Sequence, residues 1–304
     1  EGELTRPVGF RERKLDCGSL QKDTLRSDGP GTLEAFLAQD AKVEALIEEE
    51  IAFLRSVGAK GVLTDVPSIP LVAAQELGIP AILLCNFTWA DIYRPYIDAH
   101  PEGARFEAAF ARMVERYSSA SLVLKTPLSM AMSELRGLPE VKLPLVCRRM
   151  SPRRINFRSA MGIDPRARVL LASAGLYGAG LDYGRLSRLK GVRCVSFNAP
   201  EAAQGDILSI PYPTFRSQDV TDMVDGVVAK AGYGTLAECM STGTPLIYPP
   251  REGFAEHDVL VDAMERWGGG VGISTGEFEA LDLRGALECL EGLGPLAPMP
   301  HRGA

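Results

Sequence analysis

Val227-Val228-Ala229-Lys230-Ala231-Gly232-Tyr233-Gly234-Thr235-Leu236-Ala237-Glu238 reads as a short buried strand that runs into a turn with two glycines and starts a helix at once. This arrangement aims unpaired backbone N–H groups, and the positive end of a helix dipole, at whatever lies beyond the strand's carboxyl end, which suits a diphosphate. Gly232 and Gly234, on either side of Tyr233, let a phosphate approach the backbone closely, and Thr235 offers a hydroxyl at the cap. Glu238, one turn on, is expected to face the same cleft, where a carboxylate accepts both hydroxyls of a ribose. Gly-x-Gly before a helix also occurs as a plain tight turn, so the neighbouring loops have to decide between the two readings.

Two loops in the same half add to it. Ser173-Ala174-Gly175-Leu176-Tyr177-Gly178-Ala179-Gly180 follows the apolar run Val169–Ala172, and Gly175 is its candidate ligand contact. Tyr248-Pro249-Pro250-Arg251-Glu252-Gly253-Phe254-Ala255-Glu256-His257 again joins a strand to a helix. Here Arg251 suits a phosphate and Glu256 suits sugar hydroxyls, while His257 is either a third contact or a helix-capping or core histidine. Open parallel sheets bind ligands where such loops flank one crevice.

Outward from this region, short apolar runs alternate with helical patterns, the rhythm of parallel βαβ units. Residues 32–57 read as one long amphipathic helix with an uncertain start, and 278–293 as a final helix. The prolines and clustered arginines of 139–165, including Arg148, Arg149, Arg153 and Arg154, read as a linker. The expected organisation is α/β, with two Rossmann-like domains over residues 1–147 and 148–304. Residues 1–31 are charged and glycine-rich and show no opening strand, so either they are irregular or an N-terminal unit is missing.

Composition narrows the classes. The 304 residues are 46% hydrophobic and 24% charged, which suits two cores. The formal charge of -6 gives no broad basic field for nucleic acid or an anionic membrane. No run of about 18 apolar residues reads as a spanning helix, and the start does not read as a signal peptide. The six cysteines have no metal-like spacing and read as reduced thiols of a cytoplasmic protein. No metal or resident cofactor is expected, and the oligomeric state is not readable. No G-x-G-x-x-G with a later acid supports a nicotinamide-dependent oxidoreductase.

Gly232-Tyr233-Gly234-Thr235 with Glu238, Thr244-Pro245-Leu246 and the Arg251 to Glu256 loop resemble the donor-site signature of GT-B glycosyltransferases. The resemblance is to the group that includes the lipid-II-forming N-acetylglucosaminyltransferases and the glycosyltransferase-like half of plant arabinokinase. Thr64-Asp65-Val66-Pro67, Asn86-Phe87-Thr88-Trp89 and Tyr93 resemble the arabinokinase-type branch. Together these cover most of residues 15–275. The resemblance implies sugar transfer from a nucleoside diphosphate sugar, expected to be UDP-linked, to an acceptor whose identity it does not give. Gly232, Gly234 and Thr235 would then bind the diphosphate, Glu238 the ribose, and Glu256 with His257 the sugar. It also implies an opening strand and a Gly-His-Gly-type loop that this sequence does not show, so the N-terminal domain is expected to lack its first βα unit.

With no D-x-D motif, metal-independent transfer is expected, the leaving diphosphate being stabilised by helix N-termini and basic side chains. Asp65, at a predicted strand end, is the candidate general base, and its alternative role is to cap the following helix. Asn86, Thr88 and Trp89 are placed along the acceptor cleft, Trp89 with a core alternative. Two rival functions remain at this level: a nucleotide-sugar 2-epimerase, and a nucleotide-binding module without catalysis.

Overall fold

The short apolar runs form parallel strands and the amphipathic stretches between them form helices, in two groups. The computed structural model describes residues 8–148, 156–173, 189, 191–197, 207–211 and 214–303. The N-terminal half runs α1 (Gly29–Asp40), α2 (Val43–Ser56), β1 (Val62–Asp65), α3 (Ile69–Glu76), β2 (Ala81–Cys85), α4 (Trp89–Ala99), α5 (Glu107–Tyr117), β3 (Leu122–Lys125) and β4 (Glu140–Lys142). β1 to β4 lie side by side in chain order, all parallel. Parallel neighbours require crossovers, which α3 and then α4 with α5 supply. One face of this sheet is sealed, with Leu83, Cys85 and Val123 in a cluster with Phe36, Tyr93, Phe106 and Tyr117. Register puts Leu63 and Val141 on the opposite face, where they are 63% and 47% exposed.

α1 and α2 replace the single helix expected over residues 32–57. α1 begins at Gly29 because Asp28 caps it, its carboxylate accepting from the Gly31 N–H, with Pro30 in the first turn. The break at Ala41-Lys42 has a tertiary cause. Leu33 and Phe36 of α1 bury in the main cluster, whereas Val43 and Ile47 of α2 bury in a separate one with Ile69. Between them Asp40 turns inward to pair with Arg112 and Arg116 of α5.

The C-terminal half contains β5 (Leu145–Cys147), α6 (Phe157–Ala160), β6 (Arg168–Ser173), β7 (Val192–Ser196), β8 (Ile207–Ser209), α7 (Ser217–Thr221), β9 (Gly226–Ala229), α8 (Tyr233–Thr242), β10 (Leu246–Tyr248), α9 (His257–Trp267), β11 (Gly270–Gly272), α10 (Thr275–Ala280), α11 (Arg284–Gly292) and β12 (His301–Gly303). The main sheet is parallel in the order β8-β7-β6-β9-β10-β11, the 3-2-1-4-5-6 order of dinucleotide-binding folds. Successive residues of β6 face opposite sides: Val169 and Leu171 enter one core cluster, Leu170 and Ala172 the other. A sheet covered on both faces accounts for the unbroken apolar runs in the sequence. The final helix expected over residues 278–293 is two helices, separated where Leu281 takes φ 48°. Within the expected linker, β4 joins the N-terminal sheet and β5 pairs in parallel with β12.

Residues 19–28 carry no helix and tie the two halves together. Leu25 is 5% exposed within the C-terminal core. Around it, the Ser27 N–H donates to the Glu252 carbonyl at 3.0 Å and the Glu252 N–H donates to the Leu25 carbonyl at 2.8 Å. The Ser27 and Tyr96 hydroxyls both donate to the Gly253 carbonyl at 2.8 Å. The sequence offered no sign of this strap, its segment reading as either irregular or following a missing unit.

Candidate functional site

In a sheet of this order the crevice opens where neighbouring strands connect in opposite directions, between β6 and β9. β9 leads directly into Lys230, Ala231 and Gly232, and α8 starts at Tyr233. Gly232 occupies the N-cap with φ -129° and ψ 152°, and no side chain caps this end. First-turn N–H groups have no partner within their own helix, so those of Tyr233, Gly234 and Thr235 face outward with the positive end of the dipole.

Neither Gly232 nor Gly234 has a positive φ, and a Cβ added to either would meet nothing within 4 Å. By contrast Gly243, which ends α8, has φ 76°, and a Cβ there would come within 2.8 Å of the Leu296 carbonyl. Gly243 is glycine for the fold. Among the described residues nothing crowds positions 232 and 234, and both line the open space beside them.

That space is a cleft of about 440 Å³ between the halves. Its C-terminal wall is formed by Lys230, the segment Gly232 to Thr235, Arg251, Phe254 and Glu256. The N-terminal wall is formed by Ser19, Gln21, Asn86, Trp89, Ile92 and Tyr96. A smaller void of about 30 Å³ lies apart from it inside the N-terminal half, beside Asp16, Asp40 and Arg116, with room for little more than a water molecule.

The charges in the cleft are close together and poorly solvated. Arg251, whose side chain is 2% exposed, stacks 3.3 Å from the Phe254 ring centroid. Its Nη1 lies 3.5 Å from Glu256 Oε1, and its Nε donates to the Thr24 carbonyl at 3.4 Å. Burial pushes the Glu256 carboxyl above its ordinary range, against the pull of Arg251 and Lys230. Burial pushes Arg251 down, and it pushes Lys230 down with Arg251 adding to the effect. Two cations and one carboxylate leave a net positive charge beside a helix N-terminus, which an anionic ligand would balance.

Comparisons with known proteins bear on the fold. No family model matches the chain. L-Arabinokinase of Arabidopsis thaliana is 28% identical over 265 residues, 86% of this chain but 25% of that protein, so the chain spans a quarter of this relative's length. An uncharacterized glycosyltransferase of Methanopyrus kandleri is 24% identical over 262 residues, 80% of this chain and 71% of that protein. Among solved structures, Phytolacca americana UGT2, complexed with UDP-2-fluoro-glucose and pterostilbene, superposes with a TM-score of 0.57 at 17% identity, covering 83% of this chain and 72% of that one. The glycosyltransferase of kitacinnamycin does so with a TM-score of 0.56 at 16% identity, covering 83% and 74%. The fold is that of the GT-B glycosyltransferases.

Within this GT-B frame, the candidates Gly232, Tyr233, Gly234, Thr235, Arg251, Glu256, Asn86 and Trp89 all line the cleft. Glu238 does not. It is half-buried one turn further along α8, and its Oε2 accepts from the Ser217 hydroxyl at 2.6 Å. Burial raises its pKa, countered by Ser217 and Arg148. His257 opens α9 behind the Arg251 loop, its Nε2 accepting from the Arg251 N–H at 3.4 Å, and it does not line the cleft. Thr88 is fully buried as the N-cap of α4, paired with Asp91 in a capping box and donating to Glu134. Its place is structural.

Asp65 ends β1 exposed, outside the cleft lining, on the open face of the N-terminal sheet. Register sets it beside Leu84, two residues short of Asn86. Next to it Val66 takes φ 77°, an unfavourable conformation for a β-branched residue, fixed by the Tyr117 hydroxyl donating to the Val66 carbonyl at 3.0 Å. Gly175, Arg149, Arg153 and Arg154 lie outside the described residues. Among the described residues no cluster of His, Cys, Asp or Glu suits a metal, and no helix is long and apolar enough to cross a membrane.

Lys230, Gln21, Ser19, Tyr96 and Phe254 line the cleft without having been singled out by sequence. For Lys230 the signal was available: it stands between the strand and the glycine turn, where any side chain borders the crevice. Gln21 gives no such signal, because its segment has no periodicity.

Proposed function

We propose that this protein carries out glycosyl transfer, moving a sugar from a nucleoside diphosphate sugar, UDP-linked, to an acceptor that enters from the N-terminal half. The observation that carries this reading is the pair Gly232 and Gly234. Among the described residues nothing crowds either one, and with Lys230 and Arg251 they line a cleft at the crevice of a 3-2-1-4-5-6 sheet. The names of the two curated relatives, an arabinokinase and a glycosyltransferase, support a sugar-handling role.

In this reading the diphosphate lies on the first-turn N–H groups of α8, with Thr235 beside it. As the bond to the sugar breaks, negative charge grows on the departing phosphate oxygen. The helix N-terminus and Lys230 are already oriented to stabilise it. These fixed positive groups supply the stabilisation that a divalent cation supplies elsewhere, and transfer is expected to persist in EDTA. Arg251, braced by Phe254 and by His257 from behind, positions Glu256 for the sugar. Glu238 lies further along α8, where a ribose extends from the diphosphate. Asp65 is the base this reading assigns to an acceptor approaching over the open face of the N-terminal sheet.

A thermal-shift series with UDP, GDP, dTDP and their sugar conjugates tests it, since a ligand bound only by the native state raises its apparent stability. A shift with one nucleotide is expected. No shift with any of them overturns the reading.

A further inference from the structure

Among the described residues, two side-chain atoms on the N-terminal wall of the cleft are buried without a hydrogen-bond partner, Gln21 Oε1 and Asn86 Nδ2. Buried polar atoms are satisfied in most folded proteins, and each exception calls for a cause. Here one atom is an acceptor and the other a donor, and they do not bond to each other. The oxygen and nitrogen of a carboxamide exchange places by a flip, so each residue calls for a partner able to bond either end of its amide. A phosphate oxygen accepts only, whereas a hydroxyl both donates and accepts and serves either end.

Both residues are held in place by structure around them. Gln21 forms an antiparallel bridge with Ser27, and the turn between them is closed by the Asp23 carboxylate, which accepts from the Leu25 and Arg26 N–H groups. Leu25 anchors that turn in the C-terminal core. The Asn86 carbonyl accepts from the Met130 N–H at 2.8 Å, and α4 begins three residues later. Across the cleft stand Lys230, Glu256 and the start of α8. A diphosphate seated on that helix places the sugar it carries between the two walls.

We propose that Gln21 and Asn86 bind hydroxyl groups of the transferred sugar and determine which sugar the protein takes. This rests on the nucleotide-sugar reading above. It adds that the N-terminal half, through its strap, chooses the sugar, while the C-terminal half holds the nucleotide.

The test is calorimetric titration of the whole chain and of its Gln21→Met and Asn86→Ala variants. The probes are UDP, GDP and dTDP, then the glucose, galactose and L-arabinose conjugates of whichever diphosphate binds. Gln21→Met keeps the side chain's length and removes only its amide, so the fold is expected to persist, and circular dichroism checks that it does. Each variant is expected to bind the free diphosphate as the wild type does, to bind the preferred conjugate about tenfold more weakly, and to separate the three conjugates less sharply. Unchanged affinity for every conjugate overturns the proposal, and so does an equal loss for diphosphate and conjugate. If the wild type binds no diphosphate, the nucleotide-sugar reading itself fails and this proposal falls with it.

Discussion

Lys230 and Arg251 are both basic residues bordering the cleft, but their surroundings give them different work. Arg251 is committed to Phe254, Thr24 and Glu256, whereas the Lys230 ammonium borders the cleft beside the start of α8. Lys230→Met is therefore expected to lower kcat on the order of 10²-fold, with a smaller change in KM, measured by initial rates with the nucleotide sugar found by thermal shift. His257 acts from behind the loop. Burial holds its pKa below the ordinary 6.5, so its neutral form, which accepts from Arg251, stabilises the folded state. A depressed histidine pKa gives stability that is full above 6.5, the unfolded value, and is lost as the pH falls from there through the lower folded-state value. The melting-temperature advantage of wild type over His257→Gln should accordingly shrink between about pH 7.5 and about pH 5.5. A role against bound sugar was one sequence reading of His257. Its place behind Arg251 was not legible, because six residues of loop do not show which way an imidazole turns.

At the scale of elements, the turn from β9 into α8 separates what the fold needs from what a ligand needs. Gly234→Ala adds one methyl group in open space within a helical first turn, so stability should hold or rise by about 0.5–1 kcal/mol as the unfolded chain loses freedom. The same methyl projects into the position proposed for the diphosphate, and nucleotide binding should fall at least tenfold by titration. Gly243→Ala should do the reverse, costing stability at φ 76° while leaving the cleft intact. The strand-turn-helix at residues 226–242 was legible because strand, glycines and helix follow each other without interruption. The breaks at Ala41-Lys42 and at Leu281 were not legible. Neither site has a glycine or proline, and in both a helical pattern continues through the break. What divides α1 from α2 is the inward turn of Asp40 toward Arg112 and Arg116, seventy-odd residues away in sequence.

For the whole molecule, the βα rhythm foretold two parallel sheets, and the strands of the C-terminal one are apolar throughout because both its faces are buried. Strand order and the strap depend on contacts between distant residues, for which periodicity carries no signal. Leu25 is the strap's anchor. Leu25→Ala should cost about 2–4 kcal/mol in urea unfolding, and should weaken binding of the nucleotide sugar more than that of the free diphosphate, since Gln21 shares the same turn. The hydrogen bond from Ser27 to Gly253 spans 226 residues. Contacts of such separation close large loops and form late in folding, after the local βα units have assembled. The wall that carries Gly232, Lys230 and Glu256 is built from neighbours in sequence and matures early, while the strap docks only when the Arg251 loop exists to receive it. On the proposed reading a newly made chain grips the nucleotide before it can tell one sugar from another, so during refolding recovery of sugar discrimination should lag behind recovery of nucleotide binding.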